Sequence, residues 1–112
     1  MSVTAKTLIP SKQAEATQTT QYTAPLATRT IIDKFTATNI SAAAATLSVN
    51  LVTAADAAGN QNLIVKTKAL AVGETYTFPE IVGHILDADG FISTLPNAAA
   101  AITIRASGRE VT

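Results

Sequence analysis

The stretch TIIDKFTATNISAAAATLSVNLVT, residues 30–53, decides how the chain folds. Phe35 and Ala37 alternate with Lys34, Thr36 and Thr38, and Leu47, Val49 and Leu51 alternate with Ser48 and Asn50. A period of two sends successive side chains to opposite faces of a pleated strand, so each run predicts one apolar and one wet face. Residues 39–45, small and poor in bulk, predict the connection of a β-hairpin between the two runs. A lone hairpin cannot bury its apolar face in water. It requires strands beside it and a second layer over it.

Upstream of this stretch, residues 3–9 read as a strand ended by Pro10, which lacks an amide donor and suits a strand end or a sheet edge. Residues 11–21, SKQAEATQTTQ, offer almost nothing to bury. They read as a surface loop, as one or two helical turns through residues 12–17, or as an arm reaching a neighbouring subunit. The chain thus divides into an N-terminal strand with a polar arm or loop, residues 1–21, and a β-sandwich domain, residues 22–112, whose first few residues lead into the hairpin.

Downstream, residues 54–62 turn around Gly59-Asn60. The strand predicted over residues 63–70 places Leu63, Val65, Thr67 and Ala69 on one face and Ile64, Lys66, Lys68 and Leu70 on the other, with the lysines marking a solvent face or a protected edge. Residues 75–78 form a short strand presenting Tyr76 and Phe78 on one side. Residues 80–86, interrupted by Gly83, read as a loop or single helical turn capping one end of the sandwich. Asp87-Ala88-Asp89-Gly90 is a turn, and residues 91–95 return as a strand. The last strand, residues 101–107, carries Ile102, Ile104 and Ala106 inward and Thr103 and Arg105 outward, with Gly108 marking a bulge or bend. The alanine runs at 42–45 and 98–101 favour helix by propensity but are too short to nucleate one. The expected architecture is all-β: a single-domain antiparallel β-sandwich or jelly roll of about seven or eight strands.

Eight basic and eight acidic residues balance, which argues against a broad electrostatic footprint for nucleic acid or an anionic membrane. Low net charge also gives little protection from self-association. Without cysteine there are no disulfides or thiolate metal sites. The N-terminus lacks the pattern of a secretory signal, and no apolar run approaches the roughly 20 residues that span a bilayer. A soluble protein made in the cytoplasm is expected.

Reactive constellations are equally sparse. His84 is the single histidine, and no Ser or Thr lies in a G-x-S-x-G elbow, so His84 reads as a loop residue rather than a general base. Asp87-x-Asp89-Gly90 resembles the start of a calcium loop, but the twelfth position is Ala98 where an acid is needed. Glu74, Glu80, Asp87 and Asp89 have no sequence pattern that pairs them for acid–base work. No Trp and only two Tyr leave few platforms for stacking sugars. Neither an enzyme nor a bound metal or cofactor is expected.

Three segments, RTIIDKFTATNISAAAATLSVNLV (29–52), LIVKTKALAVGETYTFPEIVGHILDADGFIS (63–93) and AITIRASGREV (101–111), together resemble the small β-sandwich virion proteins of tailed bacteriophages, the class that includes capsid decoration or cement proteins. The resemblance implies a structural protein, synthesised in the host cytoplasm, that binds the outer surface of the head and bridges the major capsid protein lattice. It also implies a homo-oligomer, dimer or trimer. A tail, neck or head-fibre component of the same fold, and a carbohydrate-binding sandwich, are the alternatives. The partner-binding residues expected on this basis are Lys12, Gln13, Gln18 and Gln21 in the N-terminal segment, with Glu80, His84 and Asn97 in the loops.

Overall fold

The computed structural model describes all 112 residues. Nine strands follow in order: β1 (Val3–Gln13), β2 (Thr19–Thr23), β3 (Arg29–Asn39), β4 (Ala45–Val52), β5 (Leu63–Leu70), β6 (Thr75–Thr77), β7 (Ile85–Leu86), β8 (Phe91–Pro96) and β9 (Ile102–Val111). One sheet has the order β1-β9-β3-β6, with β7 also paired to β3; the other has the order β2-β8-β4-β5. Every pairing is antiparallel. With β6 and β7 taken as two pieces of one interrupted strand along β3, the chain traces an eight-position jelly roll. The β-sandwich expected from the alternation is present.

The central hairpin is not. β3 and β4 are both strands, as their alternation predicts, but they belong to different sheets and do not pair. Period two reveals which side chains share a face; it does not say whether two apolar faces lie side by side or one above the other. Here they stack: Ile32, Phe35 and Ala37 of β3 and Leu47 and Val49 of β4 are all fully buried in one core cluster. Asn39 makes the corner. Its Nδ2 donates to the carbonyls of Ala43 (2.9 Å) and Leu70 (3.0 Å), and its Oδ1 accepts from the Ser41 amide (2.9 Å) and hydroxyl (2.7 Å). A buried amide satisfied on both sides holds the chain at the crossing between layers.

Two strands escaped the sequence reading. β2, TTQYT, lacks apolar alternation, and β7 has two residues. β1 also runs past Pro10 to Gln13, because Pro10 lies on a sheet edge where a missing donor costs nothing, beside bulges between Thr7 and Ile9 and between Ile9 and Lys12. Residues 14–18 then cross to the other sheet, with Ala14 buried and its amide donating to Ile102. In β5, a bulge around Thr67 breaks the expected parity: Val65, Lys68 and Leu70 face inward, opposite Val49, Leu47 and Ala45. Thr67 adopts φ 45°, and its amide is held by the Ser48 hydroxyl at 2.9 Å. Such a φ is uncommon for a β-branched residue, so the bulge is held by specific partners.

The polar face of β4 is also not wet. Ser48 and Asn50 are both buried, Asn50 beneath Gly59, Asn62 and Gln18 and Ser48 against the Thr67 amide. Asn50 Nδ2 donates to Gly59 O (3.0 Å) and Asn62 Oδ1 (2.7 Å), while Gln18 Nε2 reaches Asn50 Oδ1 (3.3 Å) and Ser93 Oγ (2.7 Å). β9 follows the expected pattern, with Ile102, Ile104 and Ala106 in the core. Gly108 pairs with Ile32 at the edge of the β3 bulge and with Lys6, shortly before β1 bulges after Thr7. A Cβ there would lie 2.1 Å from Ile31 O and 2.9 Å from Leu8 Cδ1. The bulged residue of β3, Asp33, is clasped by Arg109 through two hydrogen bonds of 2.9 Å, and the carboxylate pushes the guanidinium pKa further up.

A candidate docking end formed by four loops

The strand registers bring four connections to one end of the sandwich: residues 14–18, 40–44, 71–74 and 97–101. Backbone hydrogen bonds tie them together. Ile40 N donates to Ala101 O (2.9 Å), Gly73 N to Asn39 O (3.1 Å), Asn39 N to Glu74 O (2.9 Å) and Asn97 N to Thr46 O (3.1 Å). On this scaffold stand Ile40, 50% exposed, and Val72, 60% exposed, among exposed alanines at 42–44, 71 and 98–100.

The few charges here are engaged within the chain. Glu74 Oε1 accepts the Ala71 amide at 2.8 Å. Lys12 Nζ donates to Glu15 Oε2 at 2.8 Å and Gln21 Nε2 to Glu15 Oε1 at 2.9 Å. The lysine first, and then the glutamine, hold the Glu15 carboxyl down from the ordinary 4.5 to about 2. This end is thus apolar, low in free charge and held on a hydrogen-bonded backbone.

Of the residues singled out in the sequence, Lys12, Gln13, Gln18 and Asn97 lie at or near this end. Gln18 is bound to Asn50 and Ser93, and Gln21 reaches Thr94 Oγ1 at 3.0 Å. Asn97 Oδ1 accepts the Thr46 amide at 3.0 Å, which ties the start of β4 to the end of β8. Gln13 is exposed at the end of β1, opposite Thr103. Ile40 and Val72 were missed. Each is a single apolar residue in a turn, and only the topology brings them together.

Glu80 and His84 lie elsewhere. Residues 80–86, expected to cap one end of the sandwich, do not. They run along the edge of β3 from β6, which pairs at residues 36–38, to β7, which pairs at residues 30–31. Glu80 accepts a hydrogen bond from the Tyr76 hydroxyl at 3.1 Å. His84 is exposed beside a groove of about 210 Å³ lined also by Leu51, Thr53, Ile64 and Asp87. No hydrogen bond links the imidazole, the Thr53 hydroxyl and the Asp87 carboxylate. The arrangement therefore lacks the oriented nucleophile–base contact that hydroxyl activation requires. No group of three or more His, Cys, Asp or Glu side chains is placed to hold a metal ion, and no helix is long and apolar enough to cross a membrane.

At the opposite end, the Tyr22 hydroxyl lies between the sheets, 2.7 Å from Thr30 Oγ1 and donating to Glu110 Oε2 at 2.6 Å. Burial, and then the adjacent carboxylate, push its pKa up to about 12.

The chain matches no protein-family model and no curated protein. Among solved structures it is similar to a chain in the structure of infectious bursal disease virus, Gx strain, with a TM-score of 0.47 and 16% identity over 97% of this chain. The protein spans about a third of that chain, 32% of its length.

Proposed function

We propose that this protein is a non-enzymatic virion component, specifically a capsid decoration or cement protein, which docks on the outer head surface through its four-loop end and bridges major capsid proteins. The observation that carries the reading is that end: Ile40 and Val72 project from backbone-locked turns, and the nearby acids are satisfied within the chain. An exposed apolar surface of alanine, valine and isoleucine on a hydrogen-bonded backbone loses little conformational entropy when it docks. The jelly roll, a frequent fold of capsid and lectin domains, is compatible with this role without specifying it. The sequence resemblance to phage β-sandwich virion proteins supplies the partner class. Binding the assembled lattice better than its expanded or broken forms would stabilise the head by mass action.

Co-sedimentation of the purified protein with empty mature heads tests the proposal. Saturable binding is expected, and the double variant Ile40→Glu/Val72→Glu should lose it while keeping the wild-type melting temperature. Binding to isolated tails instead of heads would transfer the role to a tail or neck component. Undiminished head binding by the double variant would remove the four-loop end from the mechanism.

A further inference from the structure

We propose that residues 3–7 of β1, VTAKT, form a self-complementary docking edge that pairs antiparallel with the same segment of a second copy of this chain. The hydrogen-bonding phase of β1 is set at its start, where Ser2 and Thr112 exchange two backbone hydrogen bonds of 2.9 Å. Alternation along the continuous register from Val3–Val111 to Thr7–Ser107 then directs the amides and carbonyls of Thr4 and Lys6 toward β9. Those of Val3, Ala5 and Thr7 point away from the sheet. All five side chains are exposed.

The other sheet edges are interrupted. β6 has three residues and β7 two, β2 is bulged between Thr20 and Tyr22, and β5 has two register shifts. β1 itself becomes irregular after Thr7, and Pro10 removes a donor. The free regular edge is therefore short and bounded. Within it, one register uses every outward group: Val3 against the partner's Thr7, Ala5 against the partner's Ala5, and Thr7 against the partner's Val3. Lys6 then faces the partner's Thr4. Sliding the two strands by two residues to pair Ala5 with the partner's Thr7 would set Lys6 against Lys6, a like-charge pair directly opposite. A lone lysine thus disfavours this slide rather than blocking the edge, while the opposite slide leaves outward groups of Thr7 unused.

Five-residue edges bury less than the roughly 800 Å² per partner of a standard stable interface, so the free dimer is weak. The pairing does not rest on the virion reading. It uses the opposite half of β1 from the four-loop end and puts the two loop ends at opposite tips of an elongated dimer.

Cysteine cross-linking tests it, because the chain has no cysteine of its own. In the proposed register the two Ala5 Cα atoms sit about 5.5 Å apart, inside the disulfide window of about 4.4–6.8 Å. Two Val3 or two Thr7 positions would be roughly 14 Å apart. Under mild oxidation Ala5→Cys should form a covalent dimer at least tenfold faster than Val3→Cys or Thr7→Cys alone, and a mixture of the latter two should link heterologously. In parallel, Ala5→Pro should abolish the concentration-dependent rise in sedimentation coefficient without lowering the melting temperature, since the lost amide serves no bond within the chain. Equal cross-linking at all three positions, or self-association unchanged in Ala5→Pro, would overturn the proposal. A protein that stays monomeric into the millimolar range would do the same.

Discussion

Replacing Gly108 with Ala adds one methyl group, and its cost can be worked from the surrounding atoms. The glycine's φ lies outside the left-handed region, so the penalty is space rather than backbone strain. The new Cβ would lie 2.1 Å from Ile31 O, 3.1 Å from Ile31 C and 2.9 Å from Leu8 Cδ1. The leucine methyl can rotate away, but the carbonyl belongs to β3, which is hydrogen-bonded to β9 on both sides of the Asp33 bulge. Relief requires about 1 Å of backbone displacement, more than a packed interior absorbs freely. Overpacking typically costs 1–3 kcal/mol, and a backbone contact belongs at or above the top of that range, about 3 kcal/mol. At roughly 4 °C per kcal/mol for a chain of this length, Gly108→Ala should lower the melting temperature by roughly 12 °C. Gly59→Ala supplies the control. Its 2.6 Å contact is to Oε1 of Gln61, the far end of an exposed flexible side chain, and the melting temperature should shift by less than roughly 4 °C. Differential scanning calorimetry of both variants decides the matter. A Gly108→Ala protein melting within a few degrees of wild type would refute the argument that the β3 backbone beside its bulge excludes a side chain here.

Asn39→Ala removes the amide that makes the crossing between sheets and leaves the Leu70 carbonyl without that donor, so chemical denaturation should show a loss of about 2–3 kcal/mol. Ser48→Ala frees the Thr67 amide from its acceptor and should cost about 1 kcal/mol, with increased hydrogen exchange confined to the β5 bulge. Since the Glu15 pKa is lowered on folding, its contribution to stability is fully present above pH 4.5 and is lost as pH falls toward 2. NMR titration should place the Glu15 carboxyl near 2 and return it toward 4.5 in Lys12→Ala; the stability change should be small because the pair is exposed. The Tyr22 hydroxyl has the opposite sign. Its raised pKa stabilises the fold below pH 10, and that contribution disappears as pH climbs to about 12. Absorbance of the phenolate near 295 nm should therefore lag in the native protein and return toward pH 10 in urea.

Faces were legible from the sequence where partners were not. The alternation in β3, β4 and β9 assigned the inward residues Phe35, Ala37, Leu47, Val49, Ile102 and Ile104 correctly. The same alternation could not tell a hairpin from two stacked strands, because both arrangements bury the same side chains. The parity of β5 failed at Thr67, since a bulge is an extra residue that leaves no mark in composition. Ser48 and Asn50 read as solvent-facing because polar residues usually are. They are buried with partners from beyond the strand: Gly59 and Asn62 of the following connection for Asn50, and the Thr67 amide of the β5 bulge for Ser48. The alanine runs at 42–45 and 98–101 were recognisable as loops, and they meet at one end. Val72 was not, for a lone valine beside a turn glycine has no pattern until three other loops surround it.

Docking through the four-loop end can be seen by imaging the intact particle at a resolution that traces side chains. Ile40 and Val72 should be buried against a neighbouring capsid subunit, with the 53–62 and 87–90 turns facing solvent. Finding the loop end open to solvent while the opposite end or a sheet face makes the contact would contradict it.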